Sequence, residues 1–276
     1  MNQPGKAGAA QKGESPRVGG SRVAFFDGSR VAFFGGSFDP PHLGHLAVAR
    51  AARAAFTLDT VLFAPVGMQP LKPEGPAASF EDRLAMTRLA VAGEPGFEVS
   101  LADAPKPDDD RKAAAQTTPN YTIDTLKNLR TSLAPDSALY CLMGADSFLG
   151  LRHWHRAAEI PFVAPLIVAS RPGQPLQGLK ADLKAALPPG LSLASEQEHS
   201  RNESGIEVRA FVLTNPAGDR APFYLLPGLY VEISASEIRG EIRTQIHAAS
   251  GNPVAGLDPV SKAVRDYIVQ HGLYRS

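Results

Sequence analysis

Two imidazoles three residues apart, His42 and His45, close the segment Gly35-Gly-Ser-Phe-Asp-Pro-Pro-His-Leu-Gly-His45, which follows the apolar run Val31–Phe34. Glycines between a strand and a helix bare backbone N–H groups, and the helix N-terminus adds the positive end of its dipole. Together they favour anions, phosphate above all. Imidazole donors at that mouth can follow charge as it develops on phosphate oxygens. Gly35 and Gly36 let the backbone come close to a phosphate, and Ser37 and Phe38 offer N–H groups. Asp39 reads as a turn residue bonded to nearby backbone, and Pro40 and Pro41 stiffen the approach to the helix. Zinc on His42 and His45 would need a third ligand from elsewhere, such as Cys141, so no metal site is expected. Neither G-x-x-x-x-G-K-[ST] nor G-x-G-x-x-G occurs in the chain.

A second cluster, Ile233-Ser-Ala-Ser-Glu-Ile-Arg239, sits where a helix begins. Ser234 and Glu237 have the spacing of a capping box, and Ser236 and Arg239 would add a second anion-binding helix start. Gly144-Ala-Asp-Ser147 follows an apolar strand, which places Asp146 at a strand's C-terminal edge, where α/β folds bind ligands. A plain turn-forming aspartate explains Asp146 equally well. Trp154 is the one tryptophan, and core packing is the commoner fate of such a residue.

The first cluster resembles the GG[ST]FDPxHxGH signature of the nucleotidylyltransferase superfamily, and the second resembles an ISxTxIR motif with Ser236 where threonine is usual. With Pro119-Asn-Tyr-Thr122, Gly144-Ala-Asp-Ser147, Trp154 and Ala169-Ser-Arg-Pro-Gly173 in order, the chain is most similar to the bacterial nicotinate-nucleotide adenylyltransferase family, from about Val31 to Arg275. The resemblance implies adenylyl transfer from ATP, with Mg²⁺ accompanying it, to nicotinate mononucleotide. It casts His42, His45 and Arg239 as catalytic. It gives Gly35, Gly36, Ser37, Phe38, Gly144, Asp146, Ile233, Ser234 and Ser236 to ATP. It gives Lys72, Tyr121, Thr122, Trp154 and Arg171 to the mononucleotide, with Trp154 stacking on the pyridine ring and backbone amides near Tyr121 and Thr122 meeting its carboxylate. One departure is Gln69-Pro-Leu-Lys72, where the family often carries Pro-x-His-Lys; here Leu71 replaces the histidine. Rival readings are adenylyl transfer to nicotinamide mononucleotide, pantetheine phosphate or FMN, and a non-catalytic nucleotide sensor.

These residues need a scaffold, and strands alternate with helices along the chain. Strands are expected at Val31–Phe34, Thr60–Pro65, Phe97–Leu101, Leu139–Met143, Leu166–Ala169 and Leu229–Ile233. Helices are expected at Gly44–Phe56, from Ser79 to Ala92, at Thr122–Leu133, from Ala235, and from an Asp258-Pro259 start. The pattern reads as an α/β, doubly wound (Rossmann-like), mostly parallel sheet in a single domain. Residues 29–276 form that domain, with an insertion at about 172–222. Residues 1–28 read as a disordered extension, although Gly20-Ser-Arg-Val-Ala-Phe-Phe26 duplicates Gly28–Phe34.

Composition excludes other classes. Lys+Arg and Asp+Glu are 28 each, so no basic field invites nucleic acid. The single cysteine excludes an internal disulfide. No apolar run reaches the ~18 residues of a membrane span. A cytoplasmic protein is expected, and a homo-oligomer is compatible with the sequence.

Overall fold

The computed structural model describes residues 28–71, 75–106, 119–169, 183–201, 205–228, 235–247 and 259–275. The first half alternates β1 (Arg30–Gly36), α1 (Leu43–Phe56), β2 (Thr60–Pro65), α2 (Phe80–Val91), β3 (Phe97–Val99), α3 (Thr122–Ser132) and β4 (Ala138–Gly144). After it come α4 (Ala145–Leu149), α5 (Ile160–Val163), β5 (Leu166–Ala169), β6 (Ser192–Arg201), β7 (Glu207–Thr214), β8 (Arg220–Leu226), α6 (Ala235–His247) and α7 (Lys262–His271). The eight strands form one sheet in the order β3-β2-β1-β4-β5-β8-β7-β6. β1 to β5 and β8 pair in parallel, while β7 pairs antiparallel with both β8 and β6. This is the expected doubly wound, mostly parallel sheet.

The central strands are apolar because both faces are covered. Alternate residues of β1 divide between two cores. Val31 and Phe33 pack with Ile123, Leu126, Phe148 and Ile160 beneath α3 to α5. Ala32 and Phe34 pack with Leu46, Ala49, Ala52 and Phe56 of α1. A third cluster joins α2, α6 and α7 through Met86, Ile238, Ile242, Val264, Ile268 and Tyr274. Cys141 is buried in β4, and burial, then the nearby Asp103 carboxylate, pushes its thiol up to about 12, so it stays protonated and inert.

Three boundaries differ from expectation. The sixth sheet strand is β8, and its ladder with β5 runs from Phe223 to Leu226. The expected strand Leu229–Ile233 lies outside the described residues, as do residues 1–27, Ser234 and Asp258. Pro222 is tolerated in β8 because it precedes the β5 ladder and pairs with Val212 of β7. The expected insertion therefore contains β6, β7 and the start of β8, all within the main sheet. Finally, the last helix is capped by Ser261, whose Oγ accepts the Val264 N–H at 3.3 Å.

Candidate active site

Strand order reverses between β1 and β4, and at such a switch point open α/β sheets bind ligands beyond the strands' C-terminal ends. Gly36 ends β1 there, level with Pro65 of β2, and Gly144 ends β4, level with Ala169 of β5. Among the described residues, a Cβ on Gly144 would meet nothing within 4 Å. Asp146 follows on the exposed first turn of α4.

The glycine turn is held from several directions. A side chain at Gly35 would strike the Phe33 ring at 2.8 Å, so that glycine is also required by packing. Phe38 adopts φ 48°, an uncommon left-handed conformation for a bulky residue. Its ring secures the turn: it is 1% exposed and sits 5.7 Å from Phe34, 5.6 Å from Phe63 and 5.0 Å from His45 between centroids. The Ser37 carbonyl accepts Arg83 Nη1 at 2.7 Å. In a trans peptide N–H and C=O point oppositely, so this bond turns the Phe38 N–H away from Arg83. The Ser37 hydroxyl donates to Gln69 Oε1 at 2.9 Å, tying the turn to the loop after β2.

Asp39, expected to bond backbone of its own turn, reaches distant partners instead. Its buried carboxylate accepts the Ala77 N–H at 2.7 Å, the Ala78 N–H at 3.1 Å and the Tyr274 hydroxyl at 2.8 Å. Its carbonyl accepts Arg239 Nη1 at 2.6 Å, and the same nitrogen lies 3.7 Å from Oδ2. Arg239 also donates to Ser236 Oγ at 3.2 Å. The two sequence clusters thus meet, through Arg239, at the glycine turn.

His42 is the N-cap of α1, and the ring centroids of His42 and His45 are 3.8 Å apart. The His42 N–H donates to His45 Nδ1 at 3.2 Å, so neutral His45 carries its proton on Nε2. Burial, then the neighbouring His42, lowers the His45 pKa well below 6.5. Its imidazole is therefore neutral near pH 7 and a donor at Nε2. The helix mouth is less open than the sequence implies. The Leu43 N–H donates to the Pro259 carbonyl at 2.7 Å, and the His45 N–H donates to the His42 carbonyl at 2.9 Å. The imidazoles and the turn, more than the helix end itself, present donors here.

Three of the residues expected to meet the acceptor, Tyr121, Thr122 and Trp154, lie at the start of α3 and in the segment after α4. Tyr121 caps α3 and Thr122 opens it; the first N–H groups of a helix have no intrahelical partner. Tyr121 and Trp154 both pack, half-buried, on the core beneath α3. The Tyr121 ring lies 4.3 Å from that of His155, Trp154's neighbour. Glu159 accepts from Arg156 Nε at 2.7 Å and Lys127 Nζ at 2.9 Å, clasping this segment to α3. Leu71 is 55% exposed, while Lys72, Arg171, Ile233 and Ser234 lie outside the described residues.

Sequence reasoning missed Arg83, Gln69 and Tyr274. Arg83 had a signal: it shares the α2 stripe Arg83, Met86, Thr87, Ala90, all buried, and a cation on an apolar stripe must find polar partners. Tyr274 had none, since its partner is 235 residues away.

The chain is similar to known proteins in sequence and in fold. A probable nicotinate-nucleotide adenylyltransferase from Stenotrophomonas maltophilia is 37% identical over 240 residues, covering 87% of this chain and 94% of that protein. Another from Laribacter hongkongensis is 37% identical, covering 87% and 92%. Plasmodium falciparum nicotinic acid mononucleotide adenylyltransferase complexed with NaAD shares the fold at a TM-score of 0.55 and 17% identity, over 89% of this chain and 97% of that one. The cytidylyltransferase-like family model matches residues 33–241, and with relatives this similar along almost their full length the chain belongs to the nicotinate-nucleotide adenylyltransferases of that family.

Proposed function

We infer that the chain joins ATP to nicotinate mononucleotide, giving nicotinate adenine dinucleotide and pyrophosphate. The observation that carries this reading is the imidazole pair at the β1–α1 turn, placed at the sheet's switch point. A phosphate oxygen of the mononucleotide bonds to the α-phosphorus of ATP as the bond from that phosphorus to the bridging oxygen breaks. The electron pair leaves with pyrophosphate. A phosphate monoester is already nucleophilic at neutral pH, so alignment and charge stabilisation suffice. Neutral His45 donates from Nε2 to the phosphate oxygens, His42 helps to place them, and Arg239 adds fixed positive charge beside the turn. Gly35, Gly36, Ser37 and Phe38 let the phosphates come close, while Gly144, Asp146 and Ser236 line the nucleotide's side.

The donors at the turn are amide, imidazole and guanidinium groups, which suit phosphate oxygens better than they suit a hard, oxygen-seeking cation. Mg²⁺, which prefers oxygen ligands, would therefore enter with ATP as part of the substrate and would offset charge on the triphosphate. On the acceptor side, Trp154 stacks on the pyridine ring and the α3 start at Tyr121 and Thr122 receives the carboxylate, with Lys72 and Arg171 assigned to phosphate.

The test supplies ATP with nicotinate mononucleotide, nicotinamide mononucleotide, pantetheine phosphate or FMN and measures pyrophosphate. Release should be fastest with nicotinate mononucleotide. Release with no acceptor in the panel would overturn adenylyl transfer, and release with another acceptor alone would overturn the acceptor assignment.

A further inference from the structure

The C-terminal segment meets the phosphate turn twice. The Pro259 carbonyl accepts the N–H of Leu43, the first residue of α1, at 2.7 Å. Fifteen residues on, by sequence number, Tyr274 donates its hydroxyl to Asp39 Oδ1 at 2.8 Å. Between them α7 packs Val264 and Ile268 against α2 and α6. Tyr274 is 7% exposed, so its ring is part of that core and only its hydroxyl is committed to the site.

Asp39 joins the parts that carry the chemistry. It lies in the glycine turn, three residues before His42. Its carboxylate tethers Ala77 and Ala78, just after the segment containing Lys72. Arg239 donates to its carbonyl and lies 3.7 Å from its carboxylate. The Tyr274 hydroxyl therefore adds to the bonding of a carboxylate that sets the turn, Ala77 and Ala78, and Arg239 relative to one another. Tyr274 does not reach substrate through any of these bonds.

We propose that Tyr274 is a positioning residue for adenylyl transfer, acting through Asp39 to hold Arg239 and the glycine turn in register with the triphosphate. This rests on the function inferred above. The positioning of groups around a transferring phosphoryl is where most of such a barrier is lowered, so a small relaxation lowers turnover more than binding. A residue acting only on folding would lower the melting temperature and leave turnover per folded molecule intact.

The test is Tyr274→Phe in the full chain, which removes the hydroxyl and keeps the ring. kcat per folded molecule should fall about tenfold, with KM for ATP and for nicotinate mononucleotide within about threefold of the parent. In an Arg239→Ala background the same substitution should cost much less, because groups acting as a unit are not additive. Unchanged kcat in Tyr274→Phe, or losses that multiply independently with Arg239→Ala, would overturn the proposal. If Tyr274→Phe does not fold, Asp39→Asn measures the same link from its other end and should show the same kcat loss and the same coupling to Arg239. An Asp39→Asn loss independent of Arg239 would overturn it. A parent chain that makes no dinucleotide overturns the function and this proposal together; an active parent with an unaffected variant overturns the proposal alone.

Discussion

The backbone N–H of His42 points at Nδ1 of His45 across 3.2 Å, so the cap of α1 selects the tautomer of the imidazole one turn above it. Protonating His45 at Nδ1 would break that bond and place a positive charge against the His42 ring. The ring is held as a neutral donor before any substrate arrives, which is the preorganisation that charge stabilisation requires.

His45→Ala should lower kcat by about 10²–10⁴-fold with a small change in KM, because the lost interaction forms as charge develops. Steady-state kinetics on the folded variant check this. Near-parental turnover would remove His45 from the mechanism.

His45 also makes a stability prediction. Its folded pKa lies below the unfolded value of 6.5, so between the two the unfolded chain binds more protons and stability rises with pH. The melting temperature should fall as pH drops from 7 toward 5, a window above the ordinary carboxylate range. Asp103, whose pKa burial raises, works in the opposite sense. His45→Gln should flatten that slope. An unchanged slope in the variant would assign the pH dependence to another group.

Two glycines should separate packing from binding. At Gly67 a Cβ would lie 2.6 Å from the Pro105 nitrogen and 2.9 Å from Asn120 Oδ1. Gly67→Ala should therefore destabilise the fold by about 1–3 kcal/mol, the usual cost of overpacking. Gly144→Ala meets nothing within 4 Å among the described residues and should leave the melting temperature unchanged while raising KM for ATP several-fold. Thermal denaturation and ATP titration distinguish them. A Gly144→Ala variant with parental KM would move the nucleotide away from the end of β4.

Nicotinate mononucleotide should be preferred over the nicotinamide form by tenfold or more in kcat/KM. Backbone N–H groups at the start of α3 can satisfy both carboxylate oxygens but would face the amide NH₂ as donor against donor. An unpaired buried polar group costs about 1–3 kcal/mol, which sets the tenfold floor. Trp154→Ala should weaken both acceptors and keep the preference. Equal kcat/KM for the two acceptors would remove the carboxylate pocket from Tyr121 and Thr122.

The part of the site carried by contiguous residues was legible in the sequence. The β1 turn, the imidazole pair and the start of α1 follow from one uninterrupted segment, and the Ser79 cap follows from local spacing: its Oγ accepts the Asp82 N–H at 3.0 Å. What depends on distant pairing was not. Ala221–Leu226 and Leu229–Ile233 are both short apolar runs, and only the ladder to β5 identifies the first as a sheet strand. The Asp39 carboxylate offers no local sign that its partners are Ala77, Ala78 and Tyr274. Nor does composition reveal that Pro259 occupies the first donor of α1, which reduces the role that a bare helix end was expected to play.

The border strand β6 bears on crowding. It is ten residues long and its pairing slips between Leu193 and Glu196 and again between Glu196 and Glu198. The residues from Ser195 to Arg201 are all polar or charged. A strand broken in step and rich in charge is a poor template for another chain. At the other border β3 has only three residues. Neither rim offers a long regular ladder to a neighbour, so aggregation by strand capture is discouraged at both ends of the sheet, away from the switch point between β1 and β4.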